Sequence, residues 1–190
     1  MKRTVFVVLL LVAPFSLGCA QSASEPVDEA QNTPAEPATE ATTAFAAFEW
    51  PTFDEAVAAA KKSGKLILVD IYAPWCGWCR KMQAEVYTDA DIQAYLKEHF
   101  EFGRLNIDDS ETRHDFQGYN ITSQELGYAL GAEGTPTTVF LEANGEYITR
   151  LPGFADLETF GTVLRYIGSK AFHNQNYDEY LESLNAEGGP

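Results

Sequence analysis

Apolar residues change their spacing along the chain, and these changes predict an alternation of helices and strands. Residues 53–60 carry apolar side chains at helical spacing, directly after a capping box formed by Thr52 and Glu55. Residues 65–72 follow as a nearly continuous apolar run. Such a run is typical of a strand whose two faces are both covered, as in a central parallel strand. The pattern therefore predicts a helix followed by the central strand of a sheet.

The later segments repeat this alternation. A helix is predicted from residue 79, a second helix opens with a capping arrangement at 88–91, and a strand follows at 101–107. A capping box at 122–125 then opens a short helix that runs through residue 130. Strands at 138–141 and 147–150 flank Asn144-Gly145, and a last helix covers 160–167. The early strand–helix–strand order requires parallel pairing, and the late hairpin requires antiparallel pairing. Together they predict an α/β fold with a mixed central sheet and helices on both faces.

The first 18 residues have the pattern of a secretory signal peptide. Lys2 and Arg3 give a basic start, and residues 4–12 are almost entirely apolar. This run is too short for a membrane-spanning helix, which needs about 20 apolar residues. We therefore expect an exported protein.

Two cleavage sites are compatible with this signal. Residues 16–19 (SLGC) resemble a bacterial lipobox, in which Cys19 would become the lipidated first residue and hold the protein on a membrane of the cell envelope. The alternative is ordinary cleavage near Gly18 or Ala20, which would leave the protein soluble in the periplasm or secreted. We favour the lipoprotein, because an unpaired thiol has no other evident role in an exported chain.

Composition divides the remaining chain into three parts. Residues 19–47 are acidic and carry too few apolar side chains to offset the entropy of ordering, so they are predicted to form a disordered tether. Residues 48–170 form the predicted domain. Residues 171–190 form a tail whose aromatic side chains either pack on the domain or bind a partner.

Charge and cysteine content narrow the classes of function. The chain has 190 residues and a formal net charge of −15. So acidic a surface repels phosphate backbones, which argues against nucleic acid as a partner. Of the three cysteines, Cys76 and Cys79 form a C-x-x-C pair. This spacing is not that of a disulfide-rich scaffold, where cysteines are denser and even in number.

Residues 75–79 (WCGWC) carry the candidate chemistry. At the start of a helix, the spacing places both sulfur atoms on one face, with Cys76 at the N-terminus. Free N–H groups and the helix dipole would there favour a thiolate, the nucleophile of disulfide exchange. Cys76 would attack the substrate disulfide, and Cys79 would resolve the mixed disulfide. We expect the sulfur of Cys76 to be exposed and that of Cys79 to be partly buried.

Two other interpretations of the cysteine pair stay open at this point. A structural zinc site needs four ligands, and the sequence has neither a second cysteine pair nor closely spaced histidines. A structural disulfide without any exchange reaction is compatible with the spacing. We expect no metal, and no cofactor other than the redox-active disulfide itself.

Three segments resemble the thioredoxin family. Residues 69–79 look like the segment that joins a central strand to the active site, and residues 104–108 resemble the third strand of that family. Residues 134–137 resemble the loop whose cis-proline faces the cysteines. The resemblance covers residues 48–168 and implies a thioredoxin fold.

The resemblance also implies roles for individual residues. Asp70 stands six residues before Cys76, where the family has a buried acid, and would accept the proton of Cys79 during resolution. The residues implied in substrate binding are Trp75, Gly77, Trp78, Thr135, Pro136 and Gly153.

The long segment 109–130 is similar to exported bacterial thioredoxins connected with sulfur oxidation and periplasmic disulfide reduction. The expected function is a thiol–disulfide oxidoreductase that reduces disulfides of exported proteins or small thiol substrates and is kept reduced by a membrane thiol electron donor. Gly77-Trp78 replaces the Gly-Pro of thioredoxin, so an oxidase or isomerase stays open. A module that binds peptides without catalysis is the alternative from another class.

Overall fold

The computed structural model of the protein describes residues 49–186, which form helices and strands in the predicted alternating order. The helices are α1 (Phe53–Ser63), α2 (Gly77–Met82), a π-helical turn (Gln83–Tyr87), α3 (Ala90–His99), α4 (Ser123–Ala129), α5 (Leu157–Gly168), a 3-10 turn (Ala171–His173) and α6 (Tyr177–Ala186). The strands are β1 (Leu66–Tyr72), β2 (Phe100–Asn106), β3 (Arg113–Phe116), β4 (Tyr119–Thr122), β5 (Thr137–Leu141) and β6 (Tyr147–Pro152).

The main sheet is mixed, as the sequence predicts. Its strand order is β2-β1-β5-β6, with β1 parallel to β2 and antiparallel to β5, and β5 antiparallel to β6. Strand β1 therefore lies inside the sheet, which explains why its apolar run is continuous. In its register, Asp70 lies opposite Arg104 of β2 and opposite Thr138 of β5.

Alternate residues of β1 face two separate apolar clusters. Ile67, Val69 and Ile71 pack with residues of α1 and α4 on one side of the sheet. Leu66 and Leu68 pack on the other side with residues of the π-helical turn, α3 and α5. Each fully buried Leu, Ile or Val contributes about 1.5–3 kcal/mol relative to an exposed one. The two clusters thus hold helices on both faces and fix the direction in which each β1 side chain points.

The capping boxes at Thr52–Glu55 and Thr122–Glu125 are confirmed and open α1 and α4. The predicted cap of α3 is wrong by one residue: Asp89, not Thr88, accepts the first backbone N–H groups of that helix. The Thr88 hydroxyl instead donates to a carbonyl oxygen of the preceding turn. A carboxylate is the stronger acceptor at a helix N-terminus, and this competition decides where α3 begins.

A second, two-stranded sheet lies in the long segment between β2 and α4. Strands β3 and β4 pair antiparallel through a two-residue turn at Gln117 and Gly118, both of which have positive φ. The apolar pattern does not predict this hairpin, because each strand has only four residues and the turn lacks the usual Asn-Gly pair.

The described part of the tail packs on the domain through aromatic contacts. The ring of Tyr166 in α5 contacts those of Tyr177 and Tyr180 in α6, at centroid distances of 5.3 and 5.2 Å. The Tyr166 hydroxyl donates to the Gln175 carbonyl oxygen at 2.8 Å. These contacts agree with the packed alternative for the tail.

Several expectations lie outside the described residues. They are the signal peptide (1–18), lipidation at Cys19, the tether (19–47), the domain start at Phe48 and the last four residues of the tail. Within residues 49–186, every helix is too short or too polar to cross a bilayer.

Candidate redox site

The cysteine pair lies where β1 passes into α2. A disulfide joins Cys76 and Cys79, whose Cα atoms are 5.3 Å apart. Cys76 is the N-cap of α2, and its sulfur accepts the backbone N–H of Cys79 at 3.0 Å. Its own backbone N–H donates to the Ala73 carbonyl oxygen at 3.0 Å, which closes the turn after β1. The predicted position of Cys76 at a helix N-terminus is confirmed, and an N–H group points at the sulfur.

The predicted exposure of the first sulfur is wrong for the disulfide form. Cys76 is 3% exposed and Cys79 is 2% exposed. Because the Cys76 sulfur turns back over the first turn of α2 as its cap, it faces the apolar cluster below β1 rather than solvent. Trp75 and Trp78 form the outward surface of the motif, with exposures of 69% and 58%.

Both indole rings are held in place by neighbouring groups. Trp75 Nε1 donates to Asp108 Oδ2 at 2.6 Å, in the loop after β2. Trp78 packs on Phe154 with ring centroids 5.4 Å apart. Lys81 Nζ lies 5.2 Å from the Trp78 centroid and 4.8 Å from that of Phe154, which is the geometry of a cation–π contact. We call Trp78, Phe154 and Lys81 the aromatic platform.

The proline loop lies before β5 and is tied to the platform through β6. The Thr135–Pro136 peptide bond is cis, as the family resemblance implies. The Gly153 N–H donates to the Pro136 carbonyl oxygen at 2.8 Å, and Gly153 directly precedes Phe154 of the platform. A cavity of about 220 Å³ is lined by this loop and by the end of β6. The implied substrate-binding residues therefore fall into two connected groups, one in the cysteine motif and one around Pro136.

Asp70 lies buried in β1, on the side of the sheet covered by the π-helical turn. It is 1% exposed, which agrees with the buried acid that the family resemblance implies. Arg104 Nε donates to Asp70 Oδ2 at 2.8 Å. Burial raises the pKa of Asp70 above its ordinary value, although Arg104 and a hydrogen bond from Tyr87 act in the opposite direction.

Asp70 belongs to a polar cluster that sequence reasoning missed. The Tyr87 hydroxyl lies 3.4 Å from Asp70 Oδ1 and 3.2 Å from Thr138 Oγ1. The Trp50 ring packs edge-on against Tyr87 at 4.7 Å, and Trp50 Nε1 donates to Gln83 Oε1 at 2.6 Å. Gln83 stands at helical spacing from Cys79, where a buried and therefore apolar residue is expected. This polar residue was the available signal of the cluster. The direction of its side chain depends on the π-helical turn, which the apolar spacing does not indicate.

A second cluster has the composition of a hydrolase triad but lacks its chemistry. His114 Nδ1 lies 3.0 Å from Asp54 Oδ2, and Nε2 lies 2.8 Å from Ser123 Oγ. Ser123 is only 3% exposed, and the backbone N–H groups of Ser123 and Gln124 already donate to carbonyl oxygens. An acyl-transfer site needs an accessible nucleophile and free oxyanion donors. The cluster therefore serves as a clamp between α1, β3 and α4.

Metal ligation finds no support in the described part of the chain. Within 49–186, no group of three or more His, Cys, Asp or Glu side chains has a geometry that could hold a metal ion.

Comparison with known proteins places the chain among redox proteins. The family profile described as "Thioredoxin-like domain" matches residues 53–168. The chain is 33% identical over 156 residues to thiol:disulfide interchange protein DsbD 2 of Pseudomonas aeruginosa. This match covers 78% of this chain but only 25% of that protein. It is 27% identical over 109 residues to disulfide bond reductase DsbH of Chlamydia pneumoniae, covering 57% of this chain and 64% of that one. The chain thus spans only part of these relatives.

Solved structures give the same result. A thioredoxin-fold protein from Helicobacter pylori superposes with a TM-score of 0.57 at 25% identity, over 65% of this chain and 81% of that one. A thioredoxin from Thermus thermophilus superposes with a TM-score of 0.52 at 28% identity, over 63% and 86%.

Proposed function

Because the chain belongs to the thioredoxin-like family, we propose that it is a thiol–disulfide oxidoreductase whose reactive group is the Cys76–Cys79 pair. The observation that carries the proposal is the disulfide across the first turn of α2, with the Cys79 N–H directed at the Cys76 sulfur. A negative charge that develops on this sulfur is stabilised by the same N–H.

The reaction uses both thiols of the reduced pair. The Cys76 thiolate attacks one sulfur of a substrate disulfide, so that a mixed disulfide forms and the first substrate thiolate leaves. Cys79 then loses its proton and attacks the Cys76 sulfur, which breaks the mixed disulfide and releases the second substrate thiolate. The substrate is reduced by two electrons, and the protein pair is oxidised to the observed disulfide.

Asp70 is the proposed acceptor of the Cys79 proton. It is buried in β1 and contacts Tyr87 of the π-helical turn that follows the Cys79 helix, and burial raises its pKa towards the range in which a base exchanges protons near neutral pH.

Substrate access is proposed to occur between the two groups of binding residues. Trp75 and Trp78 provide exposed apolar surface beside the disulfide, Thr135 provides backbone next to the cis-proline that a substrate strand can pair with, and Pro136 and Gly153 line the cavity there. A polypeptide containing the disulfide fits this arrangement, because it can contact the indole rings and the proline loop together.

We propose the reductive direction in the cell envelope. Relatives are named thiol:disulfide interchange proteins and a disulfide bond reductase, which supports reduction supplied by a membrane thiol donor. The N-terminal pattern supports export, with Cys19 as the lipid-bearing first residue. The intact mass of detergent-extracted protein tests the anchor, because diacylglycerol and acyl chains on Cys19 add a defined mass that cleavage near Ala20 would not give.

Trapping tests the proposed reaction. The Cys79→Ser variant keeps the attacking thiol but lacks the resolving one, so it should accumulate mixed disulfides with envelope proteins or with a model peptide disulfide. The Cys76→Ser variant is the matched control and should trap nothing. If neither variant traps and both retain peptide binding, the binding-module alternative replaces ours. A potential of the pair close to that of strong oxidants would instead favour the oxidase or isomerase.

A further inference from the structure

Asp70 lies in a row of three polar side chains that crosses the buried sheet. Arg104 on β2 and Thr138 on β5 are its direct neighbours in register, one on each side. Asp70 and Thr138 are almost completely buried, and the Arg104 side chain is 10% exposed. Polar groups in such a position are costly unless their hydrogen bonds are made within the protein.

Tyr87 closes this row from the helical side. It is the last residue of the π-helical turn, and its fully buried hydroxyl reaches Asp70 Oδ1 at 3.4 Å and Thr138 Oγ1 at 3.2 Å. Arg104 takes the other carboxylate oxygen, Oδ2. The two oxygens of Asp70 are thus contacted by different donors, one charged and one neutral.

The Tyr87 hydroxyl has one hydrogen, and both Asp70 Oδ1 and Thr138 Oγ1 lie within its reach. Burial raises the pKa of Tyr87 well above its usual value, so the hydroxyl stays protonated at neutral pH. When Asp70 is ionised, the hydrogen points to Oδ1 and the Thr138 hydroxyl can donate to the Tyr87 oxygen. When Asp70 takes up a proton, the hydrogen of Tyr87 can turn to Thr138 Oγ1 instead.

We propose that Tyr87 is a positioning residue for Asp70: its hydroxyl reorients between Asp70 and Thr138 as Asp70 gains and loses the Cys79 proton. The inference rests on the proposed function, because it requires Asp70 to act as the proton acceptor in resolution. Tyr87 itself does not touch the reacting sulfur atoms in this assignment. It holds the carboxylate and supplies a hydrogen bond that strengthens when the charge forms.

The Tyr87→Phe substitution tests this assignment, because it removes the hydroxyl and keeps the ring against Trp50. Loss of the donor disfavours the carboxylate form, so the rise of the resolution rate with pH should move to higher pH. On that rising limb we expect a rate about three- to tenfold lower than that of the wild type, with the plateau at high pH unchanged. The measurement is single-turnover oxidation of the reduced protein by a peptide disulfide, followed by tryptophan fluorescence between pH 5 and pH 9. The peptide concentration is raised until the rate no longer depends on it, so that the rate reports the intramolecular resolution step.

Thr138→Val is the matched control on the opposite side of Tyr87. It removes the competing acceptor and leaves the bond to Asp70, so its rising limb should stay in place or move to lower pH. It also keeps the proposal testable if Tyr87→Phe does not fold. Two results would overturn the assignment. One is that the rise of the resolution rate moves to higher pH in Thr138→Val as far as it does in Tyr87→Phe. The other is that Tyr87→Phe lowers the rate by the same factor at every pH.

Combining Tyr87→Phe with Asp70→Asn separates the role of Tyr87 from the proposed role of Asp70 as proton acceptor. Tyr87→Phe should have no further effect on the pH profile there, because the group that it positions is gone. If Asp70→Asn abolishes the limb but Tyr87→Phe leaves it unmoved, the role of Tyr87 is wrong and that of Asp70 stands. If Asp70→Asn itself leaves the profile unchanged, the proposed proton acceptor is wrong and the inference falls with it.

Discussion

Replacing Asp70 by Asn should raise the free energy of unfolding at neutral and alkaline pH, although it removes one partner of a buried ion pair. Two effects compete. Breaking a buried pair typically costs about 3–5 kcal/mol, because the remaining charge is left uncompensated. A carboxylate taken out of water carries its own desolvation cost, which a neutral amide of the same shape does not.

The direction of the Asp70 pKa shift decides between these effects. Burial is the largest cause and raises the pKa in the folded state despite the attraction of Arg104. The folded protein therefore binds this proton more tightly than the unfolded chain does. Stability falls as pH rises from the ordinary carboxyl value through the raised pKa, and it stays lowered above it. The amide introduced by Asp70→Asn does not ionise, so the variant should escape this loss.

The expected gain is about 1.4 kcal/mol for every unit by which the folded pKa is raised. The substitution also keeps the local hydrogen bonds, because the amide oxygen can still accept from Arg104 Nε and the amide N–H can donate to the Tyr87 oxygen. The gain should be smallest at the acidic end of the range, where Asp70 takes up its proton, and should reach its plateau above the folded pKa.

Urea unfolding of the oxidised protein between pH 4 and pH 9 measures this difference. Asp178→Asn, at an exposed position of α6, is the matched control for the loss of one negative charge. If Asp70→Asn were less stable than the wild type by several kcal/mol at pH 8, the pair with Arg104 would dominate, and the reasoning from burial would be refuted.

Three further outcomes are expected. Gly103→Ala should lower the free energy of unfolding by about 1–3 kcal/mol, because the new methyl group would lie 2.7 Å from a backbone oxygen at the start of α1. Gly134→Ala is the control and should lower it less, because its methyl group would meet nothing within 4 Å. Lys81→Glu should lower kcat/KM about two- to fivefold for an acidic peptide disulfide and less for a neutral one, as steady-state rates will show. His114→Ala should lower the free energy of unfolding in urea by about 1–3 kcal/mol, because it leaves the buried Ser123 hydroxyl without its partner. An unchanged urea midpoint would contradict the interpretation of this cluster as a clamp.

Much of the fold could be predicted because local and global signals agree. The capping box at Thr52 and Glu55 fixes where α1 begins, and the uninterrupted apolar run of β1 indicates a strand covered on both faces. Asp70 stands inside that run, and its burial agrees with the buried acid that the family resemblance implies. These features depend on residues near each other in the sequence, which is the range over which spacing carries information.

The missed features depend on directions that spacing does not encode. A π-helical turn rotates the residues after Met82, and so brings Tyr87 under Asp70 from seventeen positions along the chain. The burial of Cys76 results from its sulfur capping α2, whereas helix position alone suggests an exposed thiol. The β3–β4 hairpin is also joined to α1 and α4 through the side chain of His114, a contact that the spacing of apolar residues does not indicate.

The burial of both sulfur atoms has a kinetic consequence. Exchange requires the incoming sulfur to approach along the line of the S–S bond, and a covered disulfide offers that line only to a partner whose shape uncovers it. Small thiols diffusing past would seldom find it, so the pair would equilibrate slowly with the bulk pool even where its potential permits the reaction. Trp75 and Trp78, which form the outward surface of the motif, would then restrict thiol–disulfide exchange to partners that dock on them.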